Sequence, residues 1–332
     1  MSDYRLFGAE TSPYSLKVRS FLRYKGVGFD WISRERGNEE EFQALAQVAT
    51  VPLLISPQRP ASQDSTAILS ALEADHAEPS AVPDDNACAV LAIILEDYAD
   101  EWLNKCMFQQ RWGQQPDRDE AALRVLTQLY GGKRPRAYKK ARDQIAERMS
   151  ARLSLVGADA ENAATLEASF KRFALALNAH LTDHLFIFGG RPSVADFALA
   201  AQVQQLLMDP TPAAWLKAHT PFVIAWCENM DDPKAGSPFE DLSALAPTLA
   251  PLFEGEVART YLPWAKANAA SASRNRKRFS VTLPDGMFEQ STQSYAARAF
   301  ASVRKAVRDN QDNDALKAFL TETGSYDAFD KR

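Results

Sequence analysis

The stretch Thr11-Ser12-Pro13-Tyr14-Ser15-Leu16-Lys17-Val18-Arg19 follows directly on a short apolar segment, residues 4–8. That segment is rich in β formers and predicts a strand. Apolar residues at helical spacing then predict a helix from about Pro13 to Lys25. Proline suits the first helical turn, because the N–H that it lacks would have no partner there. Ser12 thus lies at a helix N-terminus, where backbone N–H groups attract anions.

A second helix start of this kind follows at Gln63-Asp64-Ser65. Between the two, the pattern predicts strands near residues 27–31 and 51–55, a short helix opened by Asn38, and a brief fourth strand at 61–62. The order β-α-β-α-β-β-α gives a mixed sheet with helices packed on it. Two helix N-termini with hydroxyls in one small domain indicate a pocket for an anionic, peptide-like ligand.

Pro52 stands at the start of the third predicted strand, in Val51-Pro52-Leu53-Leu54. Proline cannot donate to a sheet ladder, but the first residue of a strand tolerates it. A cis Val51–Pro52 bond would turn the backbone groups of Val51 toward a ligand.

Composition restricts the class of protein. The chain has 332 residues, 46% hydrophobic and 24% charged, which fits a soluble globular protein of roughly two domains. A net charge of −5 argues against a nucleic-acid binder. The longest apolar run, residues 89–95, is too short to span a membrane, and the N-terminus has no signal-peptide pattern. Three widely spaced cysteines favour a reducing compartment, and His180 with His184 has no third ligand nearby, so no metal is expected.

The chain divides into four predicted parts. Residues 1–76 form the α/β domain, 77–85 a linker, 86–244 an all-helical domain and 245–332 a C-terminal extension. Helices are predicted over 86–112, 118–130, 136–155, 160–184, 197–207, 212–218 and 221–230. In the extension we expect a helix over 247–272 interrupted at Pro251 and Pro263, a hairpin turning at residues 284–286, and a helix from about 295 to 307.

Four segments, taken together, resemble the cytosolic glutathione transferase superfamily. Residues 12–19 resemble the S-P-[FY]-x-x-[KR]-V active-site segment of its serine-type classes, and residues 51–54 its V-P-x-L segment, whose proline is cis. Asp64-Ser65-Thr66-Ala67-Ile68 is similar to its [ED]-S-x-A-I segment. Gly190-Arg191-Pro192-Ser193-Val194-Ala195-Asp196 is similar to the capping motif of its helical domain. The resemblance covers residues 1 to about 230 and implies a thioredoxin-like domain followed by an all-α domain.

The resemblance implies that glutathione is the co-substrate. Ser12 is then expected to hold the thiol as a thiolate, with Ser15 and Tyr14 as rivals. The glutathione-binding residues would be Tyr14, Val51, Pro52, Gln63, Asp64 and Ser65. Ser65 would face the γ-glutamyl carboxylate, Asp64 the amino group, and Arg34 or Arg36 the glycyl carboxylate. The plain alternative for Ser12, Asp64 and Ser65 is helix capping alone.

The implied activity is attack by the activated thiolate on a small hydrophobic electrophile. Conjugation, peroxide reduction and thiolytic ether cleavage all fit, whereas thiol exchange does not, because the first domain has no cysteine. Phe108, Arg111 and Trp112 are predicted walls of the electrophile pocket, with core packing as their alternative. A cytoplasmic, homodimeric detoxification enzyme without metal, nucleic-acid or membrane partners is expected. The alternatives are a non-catalytic glutathione- or ligand-binding protein, or a structural subunit, on the same scaffold.

Overall fold

The computed structural model of the chain describes residues 3–329. Its N-terminal part is the expected small sheet covered by helices. In chain order it comprises β1 (Tyr4–Gly8), α1 (Pro13–Tyr24), β2 (Phe29–Ser33), α2 (Glu39–Leu45), β3 (Leu53–Ile55) and α3 (Ser65–Asp75). The strand order is β2-β1-β3, with β1 parallel to β2 and antiparallel to β3. This confirms the predicted thioredoxin-like class of fold.

The predicted fourth strand is reduced to a single bridge. Ser62 exchanges two backbone hydrogen bonds of 2.8 Å with Leu54, and the pairing extends no further. Pro60 precedes this bridge and cannot donate to a ladder. On the other side, α3 begins at Ser65, so only a one-residue contact fits.

Helix α1 forms as its sequence predicts. The Ser12 side chain caps it by accepting from the N–H of Ser15 at 3.2 Å, and Pro13 occupies the first turn. Its apolar stripe is buried, and Phe21 meets Phe197 edge-on with ring centroids 5.0 Å apart. The predicted stripe therefore joins the α/β part to the helical part.

The helical part starts with one long rod. It comprises α4 (Asn86–Asp97), a π-helical segment (Tyr98–Leu103) and α5 (Asn104–Trp112). There follow α6 (Asp117–Leu129), α7 (Tyr138–Ser150), α8 (Leu153–Val156), α9 (Ala163–His180), α10 (Val194–Leu207), α11 (Pro210–His219) and α12 (Pro221–Asn229). No helix within residues 3–329 is long and apolar enough to cross a bilayer.

The extension begins with a second long rod, which its prolines do not interrupt. It consists of α13 (Leu242–Leu252), a π-helical segment (Phe253–Tyr261) and α14 (Leu262–Ser273). The predicted breaks at Pro251 and Pro263 are wrong. Pro247 and Pro251 are both exposed, so the carbonyls that lose a partner bond to water. Pro263 lies in the first turn of α14, after a π segment with its own hydrogen-bond pattern.

The rest of the extension packs on the helical part. The predicted hairpin is confirmed as β4 (Arg278–Leu283) and β5 (Gly286–Ser291), and α15 (Ser294–Asp309) and α16 (Asp314–Glu322) follow. Trp264 packs on Trp102 with ring centroids 5.6 Å apart, within one core shared by both parts. The domain boundary expected between residues 244 and 245 therefore falls inside α13, because the aromatic core continues across it.

Candidate active site

A cavity of about 640 Å³ lies where the α/β part, the first rod and the extension meet. Its lining residues come from the start of α1, the loop before β3, the start of α3, the first rod, α8 of the helical part and the start of α15 in the extension. Of the predicted glutathione-binding residues, Tyr14, Val51, Pro52, Asp64 and Ser65 all line it. The cavity therefore brings together five of the six predicted glutathione-binding residues, whereas Ser12, the predicted catalytic residue, is not among its lining residues.

The start of α1 supplies three hydroxyls with different surroundings. Ser12 is partly buried, and its Oγ accepts the N–H of Ser15, which leaves its own O–H free to donate. Ser15 is completely buried, and its Oγ has no hydrogen-bond partner within residues 3–329. The Tyr14 hydroxyl donates to the backbone oxygen of Asp100 at 2.9 Å, and burial raises its pKa well above the ordinary value.

The loop before β3 is held by Gln63. The Gln63 Oε1 accepts from the N–H groups of Gln47 and Val48 at 2.8 and 3.0 Å, and its Nε2 donates to the carbonyls of Val48 and Thr50 at 2.9 and 2.6 Å. The Val51–Pro52 bond is cis, as the family resemblance of residues 51–54 implies. Gln63 is not among the cavity-lining residues, and its amide shapes the loop that places Val51 there.

The start of α3 combines a helix cap with a contact from the extension. Asp64 has a φ of 79°, and its Oδ1 accepts from the N–H groups of Thr66 and Ala67 at 3.1 and 3.4 Å. Its Oδ2 accepts a hydrogen bond of 2.5 Å from the Tyr295 hydroxyl of α15. Both oxygens of Asp64 are therefore engaged, while buried Ser65 lies on the cavity wall.

The first rod forms the acidic side of the cavity. Lys17, only 1% exposed, lies 2.7 Å from both Glu96 and Asp100. Asp100 and Glu101 line the cavity, and the second oxygen of Asp100, Oδ1, is buried without a hydrogen-bond partner in the described chain. Burial raises the pKa of Glu101 to about 7. This side of the cavity can hold an ammonium group.

The predicted electrophile wall lies elsewhere. Phe108, Arg111 and Trp112 are not among the residues that line this cavity. The Arg111 guanidinium is buried and bonds Asp209 at 2.7 Å, Gln205 at 2.7 and 2.8 Å, and the Thr11 carbonyl at 3.2 Å.

The predicted residues lie one to two turns further along α5 than Asn104 and Lys105, beyond the cavity. Glu101, Asn104 and Lys105 line the cavity in place of the predicted residues. Buried Trp112 instead packs in a separate core cluster with Ala121 and Ala122, against which Phe108 also packs.

Neither arginine proposed for the glycyl carboxylate lines the cavity. Arg34 makes two hydrogen bonds to Glu39, at 2.9 and 2.7 Å, and lies 3.9 Å from the ring centroid of Phe42. Arg36 stacks on Tyr130 at 4.4 Å. Both guanidiniums already have partners in the fold.

The lining residues that sequence reasoning missed include the titratable Asp100, Glu101, Lys105 and Tyr295. Glu101 and Lys105 are four positions apart, as are Asp100 and Asn104, and these polar pairs on a largely buried rod were a readable signal. Tyr295 gave none, because its contact with Asp64 spans 231 positions of the chain.

The histidine pair has a structural role. His180 is buried and bonds both Thr248 and the Ile187 carbonyl at 2.9 Å, and its ring stacks on that of His184. Across residues 3–329 no group of three or more His, Cys, Asp or Glu side chains is arranged to hold a metal ion.

The fold and the cavity define a two-part protein with a thioredoxin-like sheet and a helical bundle. A family model for the glutathione S-transferase N-terminal domain matches residues 6–80, and one for the glutathione S-transferase C-terminal domain matches residues 142–229. The chain belongs to the glutathione S-transferase family. Comparison with curated proteins gives no match.

Solved structures with a similar fold come from plants and bacteria. A tau class glutathione S-transferase from mango, Mangifera indica, is 20% identical, with a TM-score of 0.40 over 69% of this chain and 88% of that one. A glutathione S-transferase from Methylobacterium radiotolerans, in complex with glutathione sulfonate, is 20% identical, with a TM-score of 0.42 over 71% and 95%. A GST-like protein from Pseudomonas syringae is 19% identical, with a TM-score of 0.47 over 75% and 74%.

Proposed function

We propose that the protein is a glutathione transferase that activates the glutathione thiol for attack on a small, largely apolar electrophile. The observation that carries the proposal is the Ser12 hydroxyl, which accepts from the N–H of Ser15 and keeps its own proton free for a sulfur anion. Neither serine is among the residues that line the cavity, but Ser12 is partly exposed, whereas Ser15 is completely buried. A charge-assisted hydrogen bond at a helix N-terminus stabilises a thiolate.

The remaining cavity walls suit the rest of the tripeptide. The N-terminus of α3 and buried Ser65 fit the γ-glutamyl carboxylate. The carboxylates of Asp100 and Glu101 fit its ammonium group, a role the sequence reasoning gave to Asp64. The backbone at Val51 fits the cysteinyl peptide unit as an added strand would.

A titration of the bound thiol tests the assignment of Ser12. Thiolate absorbance of the glutathione complex is followed against pH for the wild type and for Ser12→Ala, Ser15→Ala and Tyr14→Phe. Ser12→Ala should return the thiol pKa to about 8.5, the free value, and lower kcat/KM about 10²-fold. A bound thiol whose pKa stays low in Ser12→Ala but rises in Tyr14→Phe would transfer the role to Tyr14.

The alternative is a binding protein without turnover. It predicts retention on immobilised glutathione, no reaction with a generic aryl halide, and no effect of Ser12→Ala on either.

The proposal also includes a homodimer acting in detoxification in the cytoplasm. The resemblance supports the dimer, the three buried free cysteines fit a reducing compartment, and size-exclusion chromatography tests the dimer.

A further inference from the structure

Lys105 is a buried cation on the cavity wall without an anionic partner. Its residue surface is 4% exposed, and it lies on α5 one turn after Glu101. Within residues 3–329 it forms no hydrogen bond and no ion pair, and its Nζ lies 4.4 Å from the ring centroid of Trp264. A buried ammonium normally has acceptors, because loss of its hydration shell is costly.

The two other buried lysines have such acceptors. Lys17 contacts Glu96 and Asp100, each at 2.7 Å. Lys25 lies 2.7 Å from Glu73 and donates to the Pro79 carbonyl at 2.7 Å. Lys105 is thus an exception among them, and its three N–H donors remain available to a molecule in the cavity.

The charge of Lys105 persists at neutral pH. Burial lowers the pKa of the amine to about 8, so most of it is protonated at pH 7. The nearby Glu101 carboxylate lies beyond ion-pair distance, and burial raises its pKa to about 7, so it is only partly charged there. The Lys105 ammonium attracts an incoming anion at short range, against the opposing charge of Asp64, Asp100 and Glu101 elsewhere on the cavity wall.

The residues around Lys105 determine what kind of anionic molecule fits the cavity. Apolar and aromatic residues supply much of the cavity wall, among them Val51, Pro52, Val156, Tyr295 and Ala296. A ligand with an apolar skeleton and one acidic oxygen group would pack its skeleton against these residues and direct its charge to the ammonium.

We propose that Lys105 binds the carboxylate of an apolar organic acid, so that the second substrate is an electrophile bearing a carboxylate. That this ligand is a substrate rests on the proposed transferase function, whereas the carboxylate-binding site itself does not depend on that function. The carboxylate forms charge-assisted hydrogen bonds with the ammonium, while the reactive carbon remains toward the start of α1. Lys105 then determines which electrophiles are accepted.

Binding without turnover tests the site itself. Calorimetry measures naphthoate and its neutral analogue naphthamide on the wild type, Lys105→Met and, as a matched control, Lys234→Met, an exposed lysine outside the cavity. We expect naphthoate to bind the wild type at least about tenfold tighter than naphthamide, and Lys105→Met to remove that preference. Equal affinities on the wild type, or a preference that survives Lys105→Met, would overturn the proposal.

Turnover and stability give two further readings. For a nitroaryl chloride with a ring carboxylate, Lys105→Met should raise KM about tenfold, and it should leave KM for the methyl ester unchanged. Thermal unfolding without ligand should show Lys105→Met at least as stable as the wild type, because methionine fills the same space without a buried charge. Marked destabilisation would instead show that the ammonium supports the fold. Failure of turnover with intact naphthoate selectivity would count against the transferase activity and not against the site.

Discussion

Replacement of Asp196 by alanine is predicted to cause a large loss of stability without changing the chemistry of the cavity. The Asp196 side chain is completely buried, and its two oxygens accept four hydrogen bonds. They come from the N–H and the hydroxyl of Ser193 at 2.9 and 2.8 Å, the N–H of Ile187 at 3.0 Å and the indole N–H of Trp226 at 3.0 Å. The carboxylate thus joins the start of α10 to the preceding loop and to α12.

The size of the effect follows from these donors. In Asp196→Ala three buried N–H groups lose their acceptor, whereas the Ser193 hydroxyl can rotate to another. Each orphaned donor costs ~1–3 kcal/mol, and water entering the vacated space recovers part of it. We therefore expect the free energy of unfolding to fall by ~3–5 kcal/mol. Asp196→Asn keeps one accepting oxygen and should lose about half as much.

Guanidinium unfolding followed by circular dichroism measures the change. Asp232→Ala is the matched control, because Asp232 is exposed and pairs only with exposed Lys234, so its effect should stay within ~0.5 kcal/mol. Asp196 does not line the cavity, so the folded variant should keep the wild-type KM values of the proposed transferase reaction. A loss below ~1 kcal/mol in Asp196→Ala, or equal losses in the alanine and asparagine variants, would refute the reasoning.

Two further predictions concern buried charges. Burial lowers the pKa of His180 to about 4, so the unfolded chain binds a proton that the folded chain does not between pH 6.5 and 4. The free energy of unfolding should fall by ~3 kcal/mol as pH decreases through that range. His180→Gln should remove this part of the pH dependence, as measured by urea unfolding at a series of pH values. Lys17→Met leaves two carboxylates without their cation and should lower the free energy of unfolding by ~3–5 kcal/mol in the same assay at pH 7.

Exposed residues of the same types serve as controls. His219→Gln, a substitution of the same type at an exposed position, is the matched control for His180→Gln. Lys305→Met should have little effect, since its ion pair with Asp309 lies on the surface. A His180→Gln profile parallel to that of the wild type, or a Lys17→Met variant as stable as Lys305→Met, would contradict these expectations.

The sequence predicted the α/β part well because its signals are local. The Ser12 cap and the stripe on α1 each depend on a few adjacent residues, whereas the cis proline before β3 was implied by the family resemblance of residues 51–54. The hairpin of the extension followed in the same way from alternation around a turn.

The cavity residues on the first rod and the extension could not be predicted from short-range sequence patterns. Phe108 and Trp112 continue the helical stripe of the first rod, but spacing along one helix does not show at which turn the cavity ends. Arg111 looked like a pocket residue, but Asp209 and Gln205, almost a hundred positions away, engage it. Tyr295 reaches Asp64 only because the extension folds back over the first domain.

The aromatic core that the helical part shares with the extension limits how homologous chains can lose the extension. Trp102 and Tyr98 bury their rings against Trp264 and Tyr261 of the extension, with centroids 5.6 and 5.9 Å apart. A lineage that lost the extension would expose both rings to water and would come under selection to replace them with polar residues. Aromatic residues at these two positions should therefore mark, among divergent descendants, those that have inherited the additional segment.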